Sequence, residues 1–208
     1  MEKVFVTGAS GFIAIHCIHE LLRTGYAVKG SLRDMRREYE VRNSIEKDSV
    51  NDNLEFCKLD LLNDEGWNEA VFDCDYLLHI ASPFTIEEPK KESLLIKPAL
   101  EGTLRALNAA KNSSRVKKVV LTSSMAAIAY GHDKKLCSPE DWTDITKDVG
   151  AYVKSKTIAE KAAWDFIQCE NEQSFSMTTI HPGMVFGPLL SNDIDGASAK
   201  LLSKMING

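Results

Sequence analysis

The sequence predicts an α/β fold, a doubly wound parallel sheet with helices on both faces. Three observations predict it. Short apolar or β-branched runs alternate with helical periodicities along the 208 residues. The first strand runs straight into a glycine turn and a helix, with no linker between them. The residues with chemistry to offer follow strands one, two and five, at the carboxyl edge where open sheets of this kind bind ligands.

Lys3 to Thr7 read as the first strand, and Gly8-Ala9-Ser10-Gly11 turns the chain into a helix. Phe12, Ile13, Cys17, Ile18, Leu21 and Leu22 then recur at helical spacing. Gly8, Ser10, Gly11, Phe12 and Ile13 therefore form a turn and helix N-terminus whose free N–H groups and positive dipole end suit a nucleotide pyrophosphate. The pattern is G-x-x-G-x-x-A, with Ala14 at the third glycine position. No Lys-Ser or Lys-Thr follows Gly11, which excludes a Walker loop. Taken alone, the glycines also fit a tight strand-to-helix turn with no ligand.

Thr24-Gly25 stops this helix, and Tyr26 to Leu32 make the second strand. An acidic side chain about 20 residues past the glycines would hydrogen-bond the ribose of NAD. Gly30 and Ser31 stand there instead, with Arg33, Arg36 and Arg37 just beyond. Guanidinium forks match phosphate oxygens, so these residues favour NADP; with Asp34 among them, a solvated basic turn is the alternative.

Glu38 to Glu46 can form a helix, and Leu54 to Leu59 a third strand closed by Asp60-Leu61. Asp60 could accept from an adenine amine or cap a helix. Trp67 to Phe72 read as a short helix. Tyr76 to Ala81 form the continuous apolar run of a strand covered on both faces, ended by Ser82-Pro83. His79 within it reads as a hydrogen-bonded core histidine rather than a member of a Ser/His/Asp arrangement. His16 and His19 read as surface or packing positions.

Apolar residues from Leu94 to Ala110 recur at three and four, which predicts a long amphipathic helix over Glu92–Lys111 despite Pro98. Val116 to Thr122 make a β-branched fifth strand ending in Ser123-Ser124, and a loop-rich excursion follows. Gly150 to Glu170 form a second long helix. Phe175 to Ile180 form the sixth strand, closed by His181-Pro182-Gly183.

The formal net charge of −5 and the lack of a dense basic tract argue against nucleic acid as a partner. The five cysteines are scattered and never spaced as C-x-x-C, so neither a disulfide framework nor a metal site is expected. They read as small buried hydrophobes of a reducing compartment. No apolar run approaches the ~18 residues of a membrane span. A soluble, cytoplasmic protein with no membrane partner is expected.

Tyr152 and Lys156 stand four apart on one helix and so share a face. A phenol titrates near 10, and a fixed ammonium close by, with a cationic nicotinamide ring, would bring it toward neutral pH. Tyr152 then becomes the proton donor when a carbonyl accepts hydride. Lys156 would also bind the cofactor ribose. Ser124, at the end of the fifth strand, would hold the substrate oxygen.

The chain resembles the extended short-chain dehydrogenase/reductases, in the branch of dihydroflavonol reductases, cinnamoyl-CoA reductases and fungal NADPH-dependent methylglyoxal and ketone reductases. The resemblance rests on Val6 to Ala14, Lys58 to Leu61, His79 to Phe84, Ile96 to Thr103, Leu121 to Ser124, Tyr152 to Lys156 and His181 to Pro188. It implies a Rossmann fold and NADP(H)-dependent reduction of an aldehyde or ketone. It assigns catalysis to Ser124, Tyr152 and Lys156, and the 2′-phosphate to Arg33, with Arg37 beside it. Asp60 and Leu61 fall to the adenine side, Ala81 and Ser82 to the cofactor cleft, and Pro182 and Val185 to the nicotinamide side.

The departures from the family pattern narrow the substrate. Dihydroflavonol reductases place an Asn where Ile128 stands, and Gly150-Ala151-Tyr152 lacks the Asn-Trp-Tyr-Cys-Tyr run of cinnamoyl-CoA reductases. The apolar run Met125 to Ala129 suits a small or hydrophobic carbonyl substrate. Ala99 replaces an Asn common among sugar-nucleotide epimerases. A noncatalytic NADP-binding sensor or scaffold is the competing class, against which the retained Tyr152 and Lys156 speak.

Family members continue for roughly another hundred residues within one larger domain. Residues 1–182 are therefore expected to bind NADP and carry the catalytic groups, and residues 183–208 to begin an incomplete substrate-binding region. The two long apolar helices fit either a homodimer seam or the cover of one sheet face in a monomer.

Overall fold

The structure is a computed structural model and describes residues 1–45, 52–85, 87–169 and 174–190. Among these residues the sheet has six parallel strands: β1 (Lys3–Val6), β2 (Ala27–Leu32), β3 (Leu54–Lys58), β4 (Tyr76–His79), β5 (Lys118–Thr122) and β6 (Ser176–Ile180). Their order is β3-β2-β1-β4-β5-β6. The chain winds outward from β1 to β3 and then returns to β4 on the far side of β1. The expected doubly wound sheet is thus present, and its switch point lies between β1 and β4, where loops diverge and leave a crevice.

Among the described residues five α-helices cover the sheet: α1 (Phe12–Arg23), α2 (Glu38–Ile45), α3 (Trp67–Val71), α4 (Ser93–Asn112) and α5 (Ala151–Cys169). Successive side chains of a strand point to opposite faces, so β1 divides its residues between two cores. Val4 and Val6 pack with Ile15 and Ile18 of α1 and Val41 of α2. Phe5 packs with Val71 of α3, Leu107 of α4 and Ala163 of α5. β4 repeats the division, with Leu77 on the Phe5 side and Leu78 on the other. Both faces of the central strands are buried, which is why they read as continuous apolar runs.

The elements follow the sequence expectation, with displaced ends. β4 stops at His79 rather than Ala81 because the N–H groups of Ile80 and Ala81 donate to Thr7 Oγ1, at 2.9 and 3.0 Å, instead of continuing a ladder. α4 runs through Pro98. Glu46 and Glu170, expected as helix ends, lie outside the described residues, as does 191–208 of the expected substrate region. Of the cysteines, Cys74 is buried and its thiol is pushed up to about 12, chiefly by burial. Cys137 and Cys169 are exposed, so the reading of all five as buried hydrophobes fails for those two. No described helix is long and apolar enough to cross a membrane, and the described residues hold no cluster able to bind a metal ion.

Candidate active site

Gly8 begins the turn after β1 with φ +68°, a conformation L side chains rarely adopt. A Cβ there would lie 3.0 Å from Ala81 Cβ and 3.2 Å from Ala81 Cα, so glycine is required twice over. The approach is fixed by Thr7, whose hydroxyl oxygen accepts from Ile80 and Ala81 and meets His79 Nδ1 at 3.1 Å. With its lone pairs engaged, that hydroxyl donates its proton to Nδ1, which leaves the other ring nitrogen of His79 protonated. Burial, and then the Lys156 charge, lower the His79 pKa to about 3. The expected core histidine is therefore a neutral bolt between β1 and β4.

Ser31 secures the far side of the turn. Its Oγ accepts from Gly8 N at 3.0 Å, and its carbonyl accepts from Ala9 N at 2.8 Å. Gly11 is the N-cap of α1, and among the described residues no side chain caps that helix. The N–H groups of its first turn, those of Phe12 and Ile13 among them, are of the kind an anion can take. A close backbone cradle with an uncapped helix end above it fits a pyrophosphate.

The three arginines after β2 do different things. The Arg36 guanidinium grips Asp34, with Nη2 to Oδ2 at 2.6 Å and Nε to Oδ1 at 2.9 Å. That grip lowers the Asp34 pKa to about 2. Arg37 forks onto Glu40, with both contacts at 3.1 Å. Arg33 is exposed, and no described residue bonds it. Asp60 Oδ1 accepts from Leu62 N at 2.9 Å and shapes the loop after β3. The Leu61 side chain packs against Gly102 of α4, where a Cβ would fall 2.5 Å from Leu61 Cδ2.

The catalytic candidates converge at the ends of β5 and α5. Ser124 is buried, and its Oγ accepts from Ala126 N at 3.1 Å, beginning a single 3-10 turn over Met125–Ala127. The Ser124 hydroxyl also acts on the Tyr152 phenol, lowering its pKa. The Tyr152 ring stands edge-on to Phe84, with centroids 5.0 Å apart. Lys156, one turn further along α5, is only 8 % exposed and donates to Thr122 O at 3.3 Å. Burial brings its pKa down to about 8, although Glu160 raises it.

One expectation is corrected here. The Tyr152 phenol is not brought down by Lys156: burial raises it, and the Ser124 hydroxyl is what lowers it. The physical reason is that the ammonium is turned toward the Thr122 carbonyl at the end of β5. Burial is uneven along the apolar run Met125 to Ala129. Ala126, Ala127 and Ile128 are buried, and Met125 is the member that is exposed, together with Phe84, Tyr130, Met184 and Phe186 nearby in the chain order of the site loops.

Ala81 and Ser82 line a small cavity with His79, Thr103, Ser123 and Lys156. Pro182 O accepts from Met125 N at 3.0 Å, which ties the loop after β6 to the loop after β5. Val185 follows on the same loop. Pro188 O meets His16 Nε2 of α1 at 3.0 Å, so this loop crosses toward the glycine turn.

The family model for the NAD dependent epimerase/dehydratase family matches residues 4–208. The chain belongs to that family. Within it, the chain is 40 % identical to cinnamoyl-CoA reductase CAD2 of Medicago truncatula over 212 residues, covering 99 % of this chain and 64 % of the relative. It is 34 % identical to the bifunctional dihydroflavonol 4-reductase/flavanone 4-reductase of Malus domestica, covering 91 % and 56 %. Among solved structures it resembles the yeast methylglyoxal/isovaleraldehyde reductase Gre2 complexed with NADPH, at TM-score 0.87 and 32 % identity, covering 99 % and 66 %. The chain thus spans less than two thirds of the length of the curated relatives it matches.

In this member of the epimerase/dehydratase family, sequence reasoning missed three supports of the site. Glu88 Oε1 accepts from Ala151 N at 2.7 Å and caps the first turn of α5, just before Tyr152. Thr143 donates to Ala126 O at 2.7 Å and accepts from Tyr130 N at 3.0 Å, pinning the excursion behind Ser124. Glu160 is a fully buried carboxylate one turn beyond Lys156. For Glu160 a signal existed, since an acid four residues after a lysine on a predicted buried face is costly without partners.

Proposed function

We propose that this chain carries the NADP(H)-binding and catalytic part of a reductase that transfers a hydride to the carbonyl of a small or hydrophobic aldehyde or ketone. The observation that carries the reading is the grouping of Ser124, Tyr152 and buried Lys156 at the same sheet edge as an uncapped glycine turn. The printed descriptions of the relatives, two plant reductases and a yeast reductase complexed with NADPH, support it.

Gly8, Ser10, Gly11, Phe12 and Ile13 would hold the pyrophosphate, and Arg33 the 2′-phosphate, with Arg37 behind it. Asp60 and Leu61 would flank the adenine, and Ala81, Ser82, Pro182 and Val185 the nicotinamide end. Bound there, reduced NADP would supply the hydride that reduces the carbonyl carbon. Ser124 holds the carbonyl oxygen through its hydroxyl. Tyr152 delivers its phenolic proton to that oxygen as negative charge develops on it. Burial keeps the phenol protonated at neutral pH, the state a donor needs. Lys156, mostly ammonium at pH 7, offers its charge to the ribose of the cofactor.

The test is oxidation of NADPH followed by absorbance with methylglyoxal, short aldehydes and aryl ketones. Turnover that Tyr152→Phe lowers by about 10²–10⁴, the usual worth of a general acid, supports the reading. No turnover with any of these carbonyls, or turnover indifferent to Tyr152→Phe, refutes it.

A further inference from the structure

Glu160 is 2 % exposed and lies four residues after Lys156 on α5, yet proton donation by Tyr152 makes no direct use of it. Its carboxylate gathers three segments. Ser123, one residue before Ser124, donates its hydroxyl to Oε2. His181, one residue before Pro182, places Nε2 2.8 Å from Oε1 and 2.9 Å from Oε2. Trp164, one turn further along α5, donates Nε1–H to Oε1 at 3.3 Å. The ends of β5 and β6 are also joined directly, Ser123 N donating to Ile180 O at 2.9 Å. Ser123 and His181 each adjoin a residue assigned to the catalytic or nicotinamide side, while Glu160 itself sits behind that layer.

We propose that Glu160 is a positioning residue of this site, a buried negative charge that keeps Lys156 an ammonium and, through Ser123 and His181, fixes the loops bearing Ser124 and Pro182. The claim rests on the reductase reading for what the positioned groups do, but the charge relation between Glu160 and Lys156 does not. A carboxylate with four hydrogen-bond contacts is satisfied where a bare buried charge would be costly. Its field works against the burial that lowers Lys156 to about 8. The charged or titratable groups around the pair are few. Lys156 has Glu160 on its own helix and His79 from β4, and Glu160 has His181 from the loop after β6. His79 is neutral above about pH 3, so in the working range Glu160 is the one charge acting on Lys156 among these.

Two readouts on the full 208-residue chain test it. The first needs no turnover: the Lys156 side chain is followed by 13C NMR through a pH titration, its signal assigned with Lys156→Arg. Glu160→Gln is expected to move the Lys156 midpoint down by about 1 unit, the low end of the effect of a nearby opposite charge. An unmoved midpoint in folded Glu160→Gln overturns the proposal. The second is the pH profile of kcat with a carbonyl substrate, whose alkaline limb is expected to fall by the same about 1 unit. If wild type turns over no carbonyl while the NMR midpoint still moves, the reductase reading fails and the charge relation stands.

Should Glu160→Gln not fold, Glu160→Asp keeps the charge but withdraws it by one methylene from Ser123 and His181. It is then expected to lower kcat about tenfold with the NADPH KM little changed, since about one charge-assisted hydrogen bond is lost in positioning. Wild-type kcat in Glu160→Asp overturns the proposal.

Discussion

His79 supplies a quantitative prediction about acid stability. Free histidine titrates at 6.5, and in the folded chain burial and the Lys156 charge depress this to about 3. Between those values the unfolded chain binds a proton that the folded chain refuses, so the contribution is complete above about pH 6.5 and is lost as pH falls toward 3. Evaluated from the two constants, the loss between pH 7 and pH 4 is about 3 kcal/mol, a factor of roughly 200 in the folding equilibrium. Carboxylates held by cations, such as Asp73 lowered to about 2, add acid sensitivity of their own at still lower pH. The His79 part is isolated by comparison with His79→Asn, which still accepts from Thr7 but does not titrate. Urea denaturation at pH 7 and pH 4 should show the variant less stable at pH 7, yet losing about 3 kcal/mol less than wild type on acidification. Equal losses in the two proteins would refute the assignment of a neutral, buried imidazole between β1 and β4.

Gly8→Ala should weaken NADPH binding, read by fluorescence quenching, and lower thermal stability, because its φ of +68° and the 3.0 Å approach to Ala81 Cβ both oppose a methyl; the backbone cost alone is about 1–2 kcal/mol. Arg33→Ser should reduce the preference for NADPH over NADH by about tenfold or more, the effect of losing charge-assisted bonds to a phosphate. Arg36→Ala should change that preference little, since Arg36 is spent on Asp34; the ratio of kcat/KM for the two cofactors checks both. Lys156→Met should abolish turnover and leave the fold more stable at pH 7, by up to about 3 kcal/mol, because burial lowers the ammonium from 10.5 to about 8. A lower urea midpoint for Lys156→Met would contradict it.

The fold was legible in the sequence because its signals are local. Strands β1 and β4 are buried on both faces and so read as unbroken apolar runs, while α4 shows its period despite Pro98. The ends were less legible. Whether Ile80 and Ala81 extend β4 depends on Thr7, more than seventy residues away in the chain, and no local pattern carries that. The same holds at the site. Gly8, Ser124, Tyr152 and Lys156 announce themselves by spacing and by their place after a strand. Glu88 and Thr143 act from irregular segments through bonds to backbone, which leave no periodic trace. The relation of Tyr152 to Lys156 was read from helical spacing alone, and spacing does not say where a long side chain turns. Here it turns to Thr122.

The most direct test of the whole account is a crystal structure of this chain with NADPH bound. The account predicts the pyrophosphate over Gly8 to Ile13, Arg33 on the 2′-phosphate, Lys156 on the nicotinamide ribose, and the hydride-bearing carbon facing the space between Ser124 and Tyr152. A dinucleotide bound elsewhere, or a nicotinamide turned away from the Tyr152 phenol, would contradict it.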